Sequence, residues 1–364
     1  MYALAIVVLV FAILQLSVAI VNLVFKAKLK ENGLRDVHLI SVLIPARNEE
    51  QNIRVILSDL IGQSYRNLEI IVFDDQSDDL TPSIVREMAG IDKRIKLVGS
   101  DNLPEGWLGK NFACHSMALL AKGDFLLFMD ADVRIGNSII GSATDYAKRN
   151  KLGLLSIFPL QILRTTGERL TVPIMNYILL TLLPLPLVQQ SRFASLSAAN
   201  GQFMLFEKQN YLKTLPHNHF KGNKAEDIAI AQFFKKMKIN VACLSGDNSI
   251  QCRMYTSFND AINGFSKNIT AFFGDSTLLA ILFWVITSLG FMPVFISLPL
   301  NIFLLYLLVL FLTRVIVSLV SRQSILMNVL FIIPHQLVIG LLIFKSLKRK
   351  YSKSHQWKGR NLAS

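Results

Sequence analysis

The sequence predicts an α/β fold: a doubly wound, mainly parallel sheet, with one N-terminal and two to three C-terminal membrane helices. Three observations predict it. Between about residues 39 and 270, short apolar runs alternate with helical stretches of about 8–12 residues, the rhythm of strand–helix–strand units. Two of those runs end in carboxylates: residues 70–73 lead into Asp74-Asp75-Gln76-Ser77-Asp78, and residues 125–129 into Asp130-Ala131-Asp132. Finally, 52% of the 364 residues are hydrophobic, mean hydropathy is +0.43, and the apolar residues gather at the two ends.

Residues 2–25 carry no charge. As a helix they would span roughly 36 Å, enough to cross a bilayer. A cleaved signal peptide would want a basic leading region and a small-residue cleavage site. Here the positives Lys26, Lys28 and Lys30 follow the segment instead, so residues 1–25 read as an uncleaved anchor. A strand is expected at 39–45, and a helix opening at Arg47 and running to about 61. The next strand is 69–73, followed by the acidic loop and a helix from Thr81-Pro82, where proline suits the first turn. Strands are expected at 95–98, 125–129, 152–158 and 203–206, with helices at 111–121 and 225–236. Residues 171–190 are apolar enough to cross a membrane. A crossing would put Asp130 and Asp227 on opposite sides, and Pro184 and Pro186 break the pattern, so an interfacial segment is expected.

Residues 277–344 form a C-terminal membrane region, read as crossings at 277–297 and 300–320. The stretch 325–344, interrupted by Pro334-His335-Gln336, either spans or re-enters. A third crossing would put the basic tail, residues 345–364, outside, against the charge rule; re-entry is expected where protein satisfies the polar groups. The net charge of +13 suggests nucleic acid at first. The positives flank the apolar segments, however, so a cytoplasmic face beside anionic lipid is expected, with no nucleic-acid partner. The expected location is the cell membrane, multi-pass, with residues 39–270 as a cytoplasmic catalytic domain. Cys114, Cys243 and Cys252 lack CxxC spacing, which argues against a zinc site or a disulfide framework.

The acidic clusters carry the chemistry. Carboxylates are costly to bury unpaired. At the carboxyl ends of two buried strands they read as one site, because ligands of open α/β sheets bind beyond those ends. A nucleotide and a divalent cation would explain both, oxygen ligands suiting Mg²⁺ or Mn²⁺. Each cluster also has a plainer explanation. Asp75 would cap the next helix, Asp130-Ala131-Asp132 would be a solvated turn, and Glu226-Asp227 would face a helix dipole. Gly106-Trp107-Leu108-Gly109-Lys110 is not a P-loop, since the GxxxxGK[ST] spacing is absent.

Four motifs stand in a familiar order: Ile44-Pro45-Ala46-Arg47-Asn48-Glu49-Glu50, Asp74-Asp75-Gln76-Ser77-Asp78, Met129-Asp130-Ala131-Asp132 and Ala225-Glu226-Asp227. Over about residues 39–270 the chain resembles the family 2 glycosyltransferases. Gly106-Trp107-Leu108-Gly109-Lys110, Arg253-Met254-Tyr255, Phe265-Ser266-Lys267-Asn268 and Trp357-Lys358-Gly359-Arg360 look like its membrane-anchored branch acting on isoprenoid lipids. That branch includes the 4,4'-diaponeurosporenoate glycosyltransferase group and the hopanoid-associated glycosyltransferases. The resemblance implies a GT-A fold, a nucleoside diphosphate sugar as donor, Mg²⁺ or Mn²⁺, inversion at the anomeric centre, and a membrane lipid or isoprenoid acceptor.

Carried onto this sequence, the resemblance implies donor binding by Pro45, Arg47, Glu49, Asp75, Lys110 and Asp130. Asp75 would meet the base, a role that suits uracil, and Asp132 would ligate the metal. Asp227 would be the general base, with Glu226 positioning the acceptor or serving only its helix. Asn200-Gly201-Gln202 would close over the acceptor or simply turn into a strand. Met254 and Tyr255 depart from the QxxRW motif of processive members, which puts polymer synthesis in doubt. His115, His217 and His219 read as structural or surface groups. Two rival readings are transfer to polyprenyl phosphate and an inactive membrane scaffold.

Overall fold

The computed structural model describes residues 1–27, 29, 37–100, 102–352, 356–357 and 360–361. Lys28, Lys30, Lys358 and Gly359 lie outside the described residues. The chain divides into two compact units. One holds Ala27–Leu160 and Leu187–Arg253; the other holds Met1–Lys26, Gln161–Pro186 and the chain from Met254 through the C-terminal helices.

The first unit is built on β1 (Ile40–Ala46), β2 (Leu68–Asp74), β3 (Ile95–Gly99), β4 (Phe125–Met129), β5 (Val133–Ile135), β6 (Leu154–Phe158), β7 (Leu160–Gln161), β8 (Phe203–Glu207), β9 (Val241–Ser245) and β10 (Ile250–Cys252). Seven of these form one sheet in the order β3-β2-β1-β4-β8-β6-β9. All its pairings are parallel except the two made by β8, so the sheet is mainly parallel as expected. β5 pairs antiparallel with β10 beside it. The central strands are buried on both faces, which is why they read as unbroken apolar runs.

Register fixes where the acidic clusters go. Ala46 stands opposite Asp74, and Leu43 opposite Phe128. The loops after β1, β2 and β4 therefore leave the sheet at one end. At the opposite end the same strands are pinned together. Glu69 of β2 is buried, and its carboxylate accepts from Ser41 Oγ of β1 (2.5 Å), from the Lys122 amide and from the Gly123 amide (3.2 Å) just before β4. A Cβ on Gly123 would lie 2.6 Å from the Ser41 backbone nitrogen, so only glycine allows this approach.

Two expectations shift in the structure. The helix expected from Arg47 begins only at Ile53 (Ile53–Ile61). Side chains of the acidic loop take up the amides of residues 48–50 instead. Asn48, at φ 52°, donates to Ser77 Oγ, Glu49 to Thr81 Oγ1 and Glu50 to Asp79 Oδ2. β9, β10 and β5 were not expected at all.

In the second unit, Tyr2–Val24 and Leu300–Ser321 are long and apolar enough to cross a membrane. Thr277–Leu289 and Phe291–Ser297, bent by 48°, would make a third span if taken as one. The residues that Tyr2–Val24 buries are Ala5, Val8, Ala12, Gln15, Ala19 and Asn22, spaced alternately three and four apart. That is a heptad seam of small and polar side chains, which lets helix backbones approach closely. Residues 171–190 form no continuous span: helix Pro173–Leu182 is about 15 Å long and ends at Leu183. Asn22 closes that end, donating to Leu180 O and Leu183 O and accepting from the Leu185 amide. Three polar atoms of His335 and Gln336 have protein partners. His335 Nε2 donates to Arg169 O, Trp284 donates to Gln336 O, and Thr287 and Ser288 donate to Gln336 Oε1.

The pin on Glu69 yields a prediction. Burial alone would raise the Glu69 pKa, but the bonds from Ser41, Lys122 and Gly123 and the nearby Lys96 charge outweigh it and hold it below its ordinary value. A lowered carboxylate pKa stabilises the fold above the unfolded-state value and loses that contribution as pH falls through the folded-state value. Glu69→Ala should therefore cost about 1–3 kcal/mol at neutral pH. Thermal melts of both proteins should show the gap closing in acid.

Candidate active site

The site lies at the carboxyl ends of β1, β2 and β4. The β1 and β2 loops form its first wall. Arg47 Nη1 donates to Asp75 O at 2.5 Å, and the Asp75 amide donates to Ala46 O at 2.8 Å. Gln76, at φ 57°, turns the chain immediately after Asp75, whose residue surface is only 6% exposed. Pro45 pairs in register with Phe73, so Pro45, Arg47 and Asp75 share one corner. Glu49 stands at the same end; it accepts from Asn52 Nδ2, and its charge is felt at Asp132.

The second wall is a cluster of charges. Lys110 comes from the first turn of helix Gly109–Leu120, Asp130 and Asp132 from the turn after β4, and Glu226 and Asp227 from the start of helix Glu226–Lys236. Lys110 Nζ lies 2.7 Å from Asp130 Oδ1 and 3.8 Å from Glu226 Oε1. Asp227 accepts from the amides of Gly201 (3.0 Å) and Ile228 (2.8 Å). Gly201 sits between them: a Cβ there would lie 3.1 Å from Lys110 Nζ, 3.7 Å from Glu226 Oε1 and 3.8 Å from Asp227 Oδ2.

Burial sets the electrostatics. It lifts the Asp132 carboxyl up to about 7, helped by the charges of Asp130 and Glu49 and opposed by the Cys252 thiol and Lys110. Burial likewise lifts Glu226 up to about 7, with Lys110 opposing and Asp227 adding. Asp227 is raised by burial against the amides of Ile228 and Gly201. Burial would lower Lys110, but Asp130 and Glu226 outweigh it, so its ammonium stays charged. Asp132 Oδ1 is buried and has no hydrogen-bond partner.

Among the described residues, no three His, Cys, Asp or Glu side chains gather so as to hold a metal ion by themselves. The site still suits a cation shared with a ligand. Mg²⁺ in particular is held by one or two carboxylates together with substrate phosphates, and Asp132 offers a buried, unpaired carboxylate oxygen beside Asp130.

All nine residues singled out in the sequence thus belong to one unit and one end of its sheet. Sequence reasoning missed their supports. Gln202 Nε2 donates to Cys252 Sγ at 2.8 Å, behind Asp132. Asn111 Nδ2 lies 3.0–3.1 Å from the carbonyls of Phe220, Lys221 and Asn223, tying the loop before Glu226 to the helix that carries Lys110. Asn111 follows Lys110 directly, and its near-complete burial was the missing signal. Asn200-Gly201-Gln202 is a turn leading into β8. His217 is structural: it is buried against Tyr211 Oη at 2.8 Å and pushed down to about 3 by burial. All three cysteines are free and buried.

The raised Glu226 carboxyl sets a pH dependence of stability. As pH climbs from the ordinary value of 4.5 towards 7, the unfolded chain loses this proton before the folded one does, so stability falls. Glu226→Gln removes the ionisable group. Its unfolding free energy should exceed that of the wild type at pH 8 by an amount on the order of a few kcal/mol, and the two should converge as pH falls below 4.5.

Comparison with known proteins agrees with this geometry. Residues 41–211 match the model of the glycosyl transferase family 2. The 4,4'-diaponeurosporenoate glycosyltransferase of Staphylococcus haemolyticus is 31% identical over 278 residues, covering 73% of this chain and 70% of that protein. The enzyme of the same name from Staphylococcus aureus is 26% identical over 293 residues, covering 76% of this chain and 75% of that one. Among solved structures, a mannosyltransferase from Pyrobaculum calidifontis, in complex with GDP-Man and Mn²⁺, superposes with a TM-score of 0.58 at 15% identity. The match covers 97% of this chain and 99% of that one. Its likeness extends the shared GT-A fold to a distant sequence. With the four motifs brought to one end of a mainly parallel sheet, and with a relative of this identity and coverage, the chain belongs to the family 2 glycosyltransferases.

Proposed function

We propose that this glycosyltransferase moves one sugar, with inversion, from a nucleoside diphosphate sugar to a lipid or isoprenoid acceptor, and that a UDP-sugar is the donor. The observation that carries this reading is the Lys110 contact. One ammonium group touches Asp130, beside the buried Asp132, and also approaches Glu226, beside Asp227. Donor-side and acceptor-side carboxylates are then neighbours, as a single transfer step requires.

The β1 and β2 loops would hold the nucleoside. Asp75 would accept from the base, N3–H of uracil being a suitable donor, with Pro45, Arg47 and Glu49 shaping the same corner. Asp132, with Asp130, would hold a divalent cation against the diphosphate. Such an ion would neutralise the leaving group. Lys110 would add a fixed positive charge beside it.

Asp227 would serve as the general base. The acceptor oxygen bonds to the anomeric carbon, the bond from that carbon to the diphosphate breaks, and the electron pair leaves with the nucleoside diphosphate. A hydroxyl acceptor gives its proton to Asp227, whose raised pKa brings it nearer the working range of a base. A carboxylate acceptor, already ionised, needs no such transfer. The staphylococcal relatives are named for a carotenoid acid, which favours an apolar carboxylate of that kind. The acceptor would arrive from the bilayer, with residues 39–270 on the cytoplasmic side, where nucleotide sugars are made.

Asp227→Asn should bind UDP with unchanged affinity yet transfer about 10²–10⁴-fold more slowly to a hydroxyl acceptor. Calorimetry and a transfer assay separate the two effects; concurrent loss of UDP binding would make Asp227 a donor-site residue. A carboxylate acceptor should lose far less. Excess EDTA should abolish transfer and added Mn²⁺ or Mg²⁺ restore it, whereas full turnover in EDTA would remove the cation from the mechanism.

A further inference from the structure

The helix Leu300–Ser321 carries one arginine, Arg314, in the middle of a membrane-type sequence. It lies seven residues before the end of the helix, about 10 Å in from that end. An ionisable residue at such a depth calls for a partner. The Arg314 residue surface is only 4% exposed, so it is held by protein. Its guanidinium carbon lies 3.6 Å from the centroid of the Tyr177 ring, in contact with the ring face. That stacking uses the face of the group. The five N–H bonds point outward in its plane, and among the described residues they meet no acceptor and no carboxylate.

A second unpartnered atom belongs to the same neighbourhood. His335 is fully buried and is bonded to Arg169 of helix Thr166–Thr171, which leads directly into the helix that carries Tyr177. Because His335 Nε2 donates to Arg169 O at 2.9 Å, Nε2 carries the proton. In the neutral ring Nδ1 is therefore a lone-pair acceptor, and it is buried without a hydrogen-bond partner. Tyr306, 1% exposed, lies two turns before Arg314 on the same helix, which packs against the helix that carries Tyr177. All four residues belong to the same compact unit.

A buried cation with no counter-charge and a buried acceptor with no donor are each costly to leave unsatisfied. One ligand would satisfy both: an oxyanion for the guanidinium edge, with a hydroxyl close by for Nδ1. We propose that Arg314, Tyr177, Tyr306 and His335 form a binding site for the oxyanion head of a membrane lipid, separate from the glycosyl-transfer site. A phosphodiester head that carries a hydroxyl fits both unpartnered atoms.

The test uses the full chain purified in mild detergent. After extensive washing, lipid extraction and mass spectrometry should find about one anionic lipid retained per chain; none retained would overturn the proposal whatever the variants do. Thermal melts then compare phosphatidylglycerol, phosphatidylcholine, palmitate and inorganic phosphate. Phosphatidylglycerol should raise the wild-type melting temperature by about 3–8 °C and Arg314→Gln by less than about 1 °C. A larger shift with palmitate would support the site and assign a carboxylate as its oxyanion. An equal shift with inorganic phosphate would overturn the lipid assignment. So would equal shifts with phosphatidylcholine, or equal shifts in Arg314→Gln.

Discussion

A single ammonium group makes the charge cluster tenable. Asp130, Asp132, Glu226 and Asp227 stand at one end of a buried sheet, where burial opposes ionisation of Asp132, Glu226 and Asp227. Lys110 offsets much of this by standing against Asp130 and near Glu226. The surrounding architecture serves that placement. β4 brings Asp130, helix Glu226–Lys236 brings its two acids, and Gly201 leaves the space in which the lysine end-group sits. Without the lysine, the fold would have to protonate these acids or expose them.

The parts legible in the sequence were those set by strong, local physics. Apolar runs placed β1, β2 and β4, and the aspartates that follow β2 and β4 marked the end at which the site lies. Pro82 marked a helix start, and helix Thr81–Ile91 begins at its neighbour. The resemblance to the family then joined Glu226 and Asp227 to the site, which no spacing argument alone could do. What stayed hidden depended on distant partners. Residues 47–52 have helical composition, but the amides of residues 48–50 are taken by side chains about 30 positions away. β5 and β10 are three residues each and pair across more than 110 positions, so neither has a periodicity to read. Asn111 looks like any polar helix residue until the three carbonyls around it are seen.

The membrane-type unit teaches a related lesson. Tyr2–Val24 is apolar all round, so hydropathy identifies the helix but not its buried face. The face is written in its exceptions, Ala5, Ala12 and Ala19 for close approach and Gln15 and Asn22 for polar contact. Gln15 reaches Thr181 Oγ1, and Asn22 binds the end of helix Pro173–Leu182. The same two side chains show why residues 171–190 need not span: a short helix whose loose end is closed by a neighbour has no unsatisfied backbone to hide in a longer one.

The Glu69 pin also bears on how such a protein can diversify. The strands are fastened at their amino ends, where Glu69, Ser41 and the glycine at 123 leave no room for an added side chain or residue. The loops at the carboxyl ends carry none of that fastening. Donor preference can therefore drift through substitutions in residues 47–50 and 76–79 without loosening the sheet. Lineages of this fold should keep the seam at 41, 69 and 123 fixed while rewriting the opposite rim. An engineer seeking a new nucleotide specificity should place a library on the rim and leave the seam untouched.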